Sequence, residues 1–560
     1  MRILIVQTTR LGDVLQTTPL IHMVRRKHPD AHITLLVRQM GRAIADRNHD
    51  INDVMIYDED ELYRRLVADD SNKLLEAYQL TDKRIQAIKA CNFDIAYNVT
   101  HSVSSAMLIK IAEIPEVYGA HLGDDWQFIL RGRWTTYFFT SVFSREYNDL
   151  NLCDITRNIV EDAPPSRELH FNLHDEDHQF AEALLAEHGV KGDDYVACFQ
   201  LGASEEGKRW AIENFASLGR LLVERHQAKV FLLGVQSEQP LGDRFESFAP
   251  GLATHLFGKT SVAQVAALLK RATILVTNDT GTMHIAASVG CPITLVSVGN
   301  VHYRETGPYG EGHCAIEARR TNLGRSDYVP SGKEERELIK ANQVLAAIDY
   351  ARHHGQDRPL PPIADEGALD NVDLYITRFA PDGFLEYYPV IQRAMDERDF
   401  MRIAYRAMWV AHLSRTGTPE GELESLDQML RHYGGPDPEI VSTWAEETAK
   451  HFEGLAAISV RGESVTSRLL EALKRDRFDE ARTLVAQLMA LDEEARVFSE
   501  VNPPCRPLIL MARFERDNLD GADPKLLAKT TLEIYRACRD RATLMVEKLR
   551  LTAARWAERT

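Results

Sequence analysis

Short apolar runs alternate with stretches of helical periodicity along the first two thirds of the chain, and the pattern starts twice. Arg2–Val6, His32–Val37, Val54–Tyr57 and Phe93–Tyr97 read as strands, with helices at 18–27 and 72–90. After the polar stretch Glu161–Ser166 the alternation resumes with strands at Tyr195–Phe199, Lys229–Leu233, Thr273–Val276 and Pro292–Ser297, and helices at 212–226, 261–271 and 283–289. Strands that are apolar throughout are buried on both faces, and an intervening helix imposes a parallel crossover. The expectation is two doubly wound α/β units in series, with a ligand in the crevice at the carboxyl ends of their strands.

A helix from about 333 to 353 closes this region, and the proline-rich stretch 355–365 reads as a linker. Beyond it the sequence looks helical to its end. The domain organisation expected is 1–165 and 166–355 for the two α/β units, 356–365 for the linker and 366–560 for an all-α region. That last part is expected to recognise an acceptor or to drive self-association into a homo-oligomer.

Composition excludes several classes. The chain has 560 residues, 44% apolar and 27% charged, so it is globular and too long for one core. A formal net charge of −17 disfavours nucleic acid as a partner, because like charge removes the counterion-release contribution to binding. The opening apolar run is too short for a signal peptide and no segment is long enough to span a bilayer, which predicts a cytoplasmic protein. The seven cysteines are scattered without a C-x-x-C pair and read as free thiols.

Three polar turns follow apolar strands and carry chemistry. The first is Gln7-Thr-Thr-Arg-Leu-Gly-Asp13, where a carboxylate behind Gly12 at the sheet mouth can act as a general base or cap the next helix; Pro19 fits that helix's first turn. The second is Gln200-Leu-Gly-Ala-Ser-Glu-Glu-Gly-Lys-Arg-Trp210. Gly202, Ser204 and Gly207 allow it to wrap an anion, Lys208 supplies a compact positive charge, and the indole of Trp210 argues for an anchored loop. The third is Thr277-Asn-Asp-Thr-Gly-Thr-Met-His284. Asn278 and Asp279 are good cap residues, Thr280 and Gly281 offer unpaired N–H groups at a helix start, and His284 lies one turn further on the same face. A phosphate or diphosphate suits that position.

Together, Leu11-Gly-Asp-Val-Leu-Gln-Thr-Thr-Pro19, Lys208-Arg-Trp210 and Thr277-Asn-Asp-Thr-Gly-Thr-Met-His-Ile-Ala-Ala287 resemble the three signatures of the glycosyltransferase family 9 heptosyltransferases, over about residues 1–355. The resemblance implies a GT-B fold of two Rossmann-like domains and an inverting, metal-independent transfer from an ADP-heptose donor, with no cofactor. It implies that Asp13 deprotonates the acceptor hydroxyl and that Lys208 neutralises the departing diphosphate. Gly12, Ser204, Asp279, Thr280, Gly281 and His284 match the donor-binding group, and Glu238 matches a carboxylate that holds the nucleoside. Ala203 stands where the family often has a second hydroxyl.

Two acidic triplets, Asp58-Glu-Asp60 and Asp175-Glu-Asp177, fit the metal-binding string of other glycosyltransferases, but read more simply as helix caps or solvated loops. The acceptor is either lipopolysaccharide core or a protein. The aromatic, basic stretch Trp126–Trp134 is either an acceptor contact or a buried helix-loop. A nucleotide-sugar-binding or scaffold protein without catalysis is the alternative of a different class.

Overall fold

A computed structural model of the chain describes residues 1–163, 165–319, 338–354, 369, 371–414 and 418–559. The expected linker at 356–365 and the start of the helix expected from 333 lie outside the described residues.

The first sheet comprises β1 (Arg2–Gln7), β2 (His32–Val37), β3 (Asp53–Ile56), β4 (Ile95–Asn98), β5 (Glu116–Leu122) and β6 (Phe128–Arg131). Their order is β3-β2-β1-β4-β5-β6, parallel except for the final β5–β6 pair. The second contains β7 (Val196–Gln200), β8 (Lys229–Leu233), β9 (Ala253–His255), β10 (Ile274–Thr277), β11 (Ile293–Ser297), β12 (Cys314–Ala318), β13 (Val372–Phe379) and β14 (Leu385–Pro389). Its order is β14-β13-β12-β11-β10-β7-β8-β9. Strand order reverses between β1 and β4 in one sheet and between β7 and β10 in the other, and such switch points open crevices between the flanking loops. The central strands are buried along their length, so the continuous apolar runs are explained by helices on both faces.

Two expectations about element boundaries need correction. The helix after β1 runs over Leu11–Lys27, so Pro19 sits in its interior and not in its first turn. Proline there removes the N–H that would bond the carbonyl of Leu15; the Thr18 hydroxyl donates to that carbonyl instead (2.7 Å) and also accepts the N–H of His170 (2.9 Å). A threonine one position before the proline thus keeps the helix satisfied.

The second correction concerns 366–560, which is not helical from its start. Val372–Phe379 and Leu385–Pro389 form an antiparallel hairpin that extends the second sheet beyond β12. Asp373 interrupts the apolar pattern of β13 because its carboxylate is committed to the Arg319 guanidinium (3.0 Å). Helices begin at Glu397 and continue to Arg559, apart from a two-residue pairing of Arg393–Ala394 with Tyr433–Gly434. The long helices Pro438–Lys474 and Pro524–Arg559 lie along each other, with Gly462 admitting the ring of Tyr535 where any Cβ would collide.

The helical region is joined to both sheets. On the first, Asn518 donates to the carbonyl of Leu130 (2.9 Å) and accepts its N–H (2.7 Å), closing the exposed edge of β6 as a further strand would. The Trp126–Trp134 stretch divides accordingly: Trp126 is exposed, whereas Trp134 is buried in the first turn of the helix Arg133–Phe143. At the junction of both sheets with the hairpin lies a buried ionic cluster. Arg406 meets Asp382 (3.1 Å) and Glu386 (3.0 Å), Arg304 meets Glu386 (2.6 Å) and Asp149 (3.3 Å), and Arg402 pairs with Asp149. Burial alone would raise the Glu386 pKa, yet Arg402, Arg304 and Arg406 hold it well below the usual carboxylate range. Among the described residues no helix is long and apolar enough to cross a membrane.

Candidate active site

The carboxyl ends of the two sheets face one another, and the helix Leu11–Lys27 meets the helix Gly281–Ser288 across the gap. Their approach depends on glycine. A Cβ on Gly12 would lie 2.9 Å from Cδ2 of His284 and 3.6 Å from Cα of Gly281. Asp13 is the next residue, in the first turn of its helix, where Oδ2 accepts the N–H of Arg10 (3.1 Å). The capping role considered for Asp13 is therefore real, and it fixes the carboxylate at the rim.

From the second sheet, Lys208 stands at the end of the short turn Glu206–Lys208, with Nζ 3.9 Å from Oδ2 of Asp279 and 4.0 Å from Oε1 of Glu205. These are Coulomb contacts longer than hydrogen bonds, so an incoming anion can compete for the ammonium. Burial raises the pKa of Asp279, with Lys208 opposing and Asp13 reinforcing the rise. His284 is buried, which lowers its pKa to about 4 against the pull of Asp13, and its Nδ1 has no hydrogen-bond partner. At neutral pH the imidazole is uncharged. Asp13 thus sits within electrostatic reach of Asp279 and His284, and Asp279 of Lys208, although Asp13 and Lys208 are 195 positions apart in the sequence.

Asn278 does not cap the following helix; Thr280 occupies the N-cap position, without a side-chain cap bond, and its hydroxyl lies 3.2 Å from that of Thr277. Asn278 turns inward. Its Nδ2 donates to the carbonyls of Gln200 (3.3 Å), Leu201 (3.0 Å) and Gly202 (3.1 Å), and its Oδ1 accepts the N–H of Trp210 (2.9 Å). One fully buried side chain therefore staples both ends of the Lys208 loop. The Trp210 indole donates to the carbonyl of Ile339 (2.9 Å), which is the anchoring expected of it. Ser204 is exposed at the loop's crown, and the carbonyl of Ala203 accepts from the Arg209 guanidinium (3.2 Å).

Glu238 ends the turn after β8, and its Oε2 accepts from Nε2 of Gln200 and the N–H of Val235, both at 3.1 Å. Side chains on Gly202 or Gly234 would fill the space its carboxylate occupies. The Thr282 hydroxyl donates to Oε1 of Gln200 (3.1 Å), so a hydrogen-bonded chain links Glu238 to the helix bearing His284.

Sequence reasoning missed the inward turn of Asn278, the Gln200–Thr282 link and Gly299. Gly299 follows β11 with φ +67° and lies against the backbone of Gly207, where any side chain would collide. Its signal was positional: it follows an apolar strand next to β10, at the same mouth of the sheet. The acidic triplets resolve as caps and ion pairs. Asp58 accepts from the N–H groups of Asp60 and Glu61, Asp60 faces Arg38, and Asp177 accepts the His174 N–H and pairs with Arg47.

Replacing Asn278 by alanine should destabilise the protein by about 3 kcal/mol, since it strands the Trp210 N–H and three carbonyls in a dry interior. Thermal denaturation of Asn278→Ala against wild type measures this; an unchanged Tm would rule out the staple.

Two Rossmann-like sheets facing across such a crevice define the GT-B fold. The structure is similar to that of a glycosyl transferase family 9 protein from Veillonella parvula, with a TM-score of 0.50 and 21% identity, over 62% of this chain and 96% of that one. Residues 82–327 match glycosyltransferase family 9 (heptosyltransferase). The matched stretch includes Lys208 and the 277–287 motif, and begins after Asp13. Among curated proteins, lipopolysaccharide heptosyltransferase 3 of Escherichia coli K12 is 24% identical over 299 residues, 50% of this chain and 78% of that protein. Lipooligosaccharide heptosyltransferase 2 of Haemophilus influenzae is 34% identical over 90 residues, spanning 15% of this chain and about a quarter (26%) of that protein.

Proposed function

We propose that the protein transfers a heptose from an ADP-sugar to an acceptor hydroxyl of lipopolysaccharide core, with inversion at the sugar's anomeric carbon and without a metal ion. The observation that carries this reading is the meeting of Asp13 with Lys208, Asp279 and His284 across one gap. The acceptor oxygen attacks the anomeric carbon while the bond to the diphosphate breaks, and the proton of the acceptor hydroxyl passes to Asp13. Negative charge grows on the leaving ADP, and Lys208 and the first turn of Gly281–Ser288 stabilise it more than they stabilise the ground state. Gly281, Thr280 and Ser204 offer hydrogen bonds to the diphosphate, neutral His284 adds a hydrogen bond without competing for charge, and Glu238 takes ribose hydroxyls. Gly12 keeps the acceptor-side helix close enough for one substrate pair to touch both sheets.

Metal independence is supported by what the acidic triplets already do: Asp58 caps a helix, Asp60 faces Arg38, and Asp177 accepts the His174 N–H and pairs with Arg47. The names of the curated relatives support heptose as the sugar and lipopolysaccharide as the acceptor class.

Transfer from ADP-heptose to a lipopolysaccharide inner-core acceptor, followed with and without EDTA, tests the proposal. Turnover should persist in excess EDTA. Loss that magnesium restores would overturn the metal-free mechanism, donor binding without any transfer would favour a binding or scaffold role, and transfer confined to a protein substrate would move the acceptor.

A further inference from the structure

The loops after β1 and β4 flank the switch point of the first sheet, where a doubly wound domain binds its ligand. The first leads into the helix whose first turn carries Asp13. The second carries Thr100 and His101, and the two are tied together: the N–H of Thr8 donates to Oγ1 of Thr100 (2.9 Å), which in turn donates to the carbonyl of Val6 (3.2 Å).

His101 is unusual in three ways. Its φ is +58°, a left-handed conformation that is strained for a residue with a side chain. Its ring stacks on Phe138 (centroids 4.2 Å apart) and stands edge-on to Phe139 (5.5 Å), and Phe139 packs in turn on Phe514 of the helical region. Its Nδ1 is shielded from solvent and has no hydrogen-bond partner. His101 as a whole is only partly buried, so a left-handed backbone and an aromatic platform hold its ring beside the switch-point crevice with part of it left open to a ligand.

We infer that His101 is a specificity-determining residue on the acceptor side, whose imidazole hydrogen-bonds a sugar hydroxyl of the acceptor beside the one that Asp13 deprotonates. Burial lowers its pKa to about 3, so the ring is neutral at working pH and suits a hydroxyl, which both donates and accepts, better than a phosphate or carboxylate. The nearby charges are already engaged, Glu59 with Arg38 (2.7 Å) and with the Ser104 hydroxyl (2.9 Å). The platform's contact with Phe514 gives the helical region a part in this subsite, as the support of the ring that holds the acceptor. This inference rests on the transferase reading above.

Two variants test it in the full-length protein. His101→Gly keeps the left-handed backbone and removes the ring, and His101→Asn keeps a hydrogen-bonding side chain that tolerates that backbone. With ADP-heptose and deacylated inner-core oligosaccharide as substrates, His101→Gly should raise acceptor KM about tenfold, the loss of one hydrogen bond, with kcat, ADP affinity and Tm little changed. His101→Asn should recover most of that loss. An acceptor KM unchanged in His101→Gly overturns the inference while leaving the transferase reading intact, and so does a parallel fall in Tm and ADP affinity, which marks a packing residue. A wild-type protein that neither binds ADP-heptose nor transfers its sugar removes the transferase reading, and this inference with it.

Discussion

Asp13→Ala is expected to lower kcat for transfer by about 10³-fold while leaving ADP affinity nearly unchanged, the signature of a lost general base. The carboxylate faces both Asp279 and His284, and the helix Leu11–Lys27 carries no other acidic residue that could replace it. Removing it also frees the Arg10 N–H that Oδ2 caps, at a cost of about 1 kcal/mol, too little to unfold the protein. Calorimetric binding of ADP and initial rates on the same preparation separate the two effects. Turnover within a few-fold of wild type would reject Asp13 as the base, and loss of ADP binding would point to a structural role at the interface of the two helices.

The second large effect is on stability. Arg406→Ala should destabilise the protein by about 3–5 kcal/mol, because it leaves Asp382 and Glu386 charged in a dry interior with part of their compensation gone. The guanidinium also donates to the carbonyls of Leu385 (3.0 Å) and Phe384 (3.2 Å), so the hairpin that extends the second sheet loosens with it. Arg496 is the control. It pairs with Glu493 (2.7 Å) and Glu500 on an exposed helix face, and Arg496→Ala should leave stability nearly unchanged because solvent screens such pairs. Urea denaturation of both variants decides the matter; equal shifts would mean that the buried cluster does not hold the three parts together.

Much of the architecture was legible in the chain. Continuous apolar runs marked β1, β2, β4, β7, β8, β10 and β11, because a strand covered on both faces has no solvent side to write a polar alternation. Where elements were misjudged, one residue carried two meanings. Pro19 reads as a helix start, yet the Thr18 hydroxyl lets it sit inside a helix already begun at Leu11. Asp373 makes β13 look polar because its partner, Arg319, comes from more than fifty residues away. Asn278 looks like a cap, and nothing local announces that its amide serves the carbonyls of Gln200, Leu201 and Gly202.

The site shows the same division. Asp13, Lys208, Asp279 and His284 are each recognisable from residue type and position after a strand, since local chemistry chooses residues for turns and helix starts. What burial does to two of them was not: it raises the pKa of Asp279 and lowers that of His284. The strand pattern and the polar turns belong to the sequence alone, because periodicity and backbone preference act over a few residues. The placing of Asp13 opposite Asp279 and His284, the edge closed by Asn518 and the ionic cluster around Glu386 belong to the tertiary structure, because Coulomb and packing energies depend on distances that only the folded chain sets.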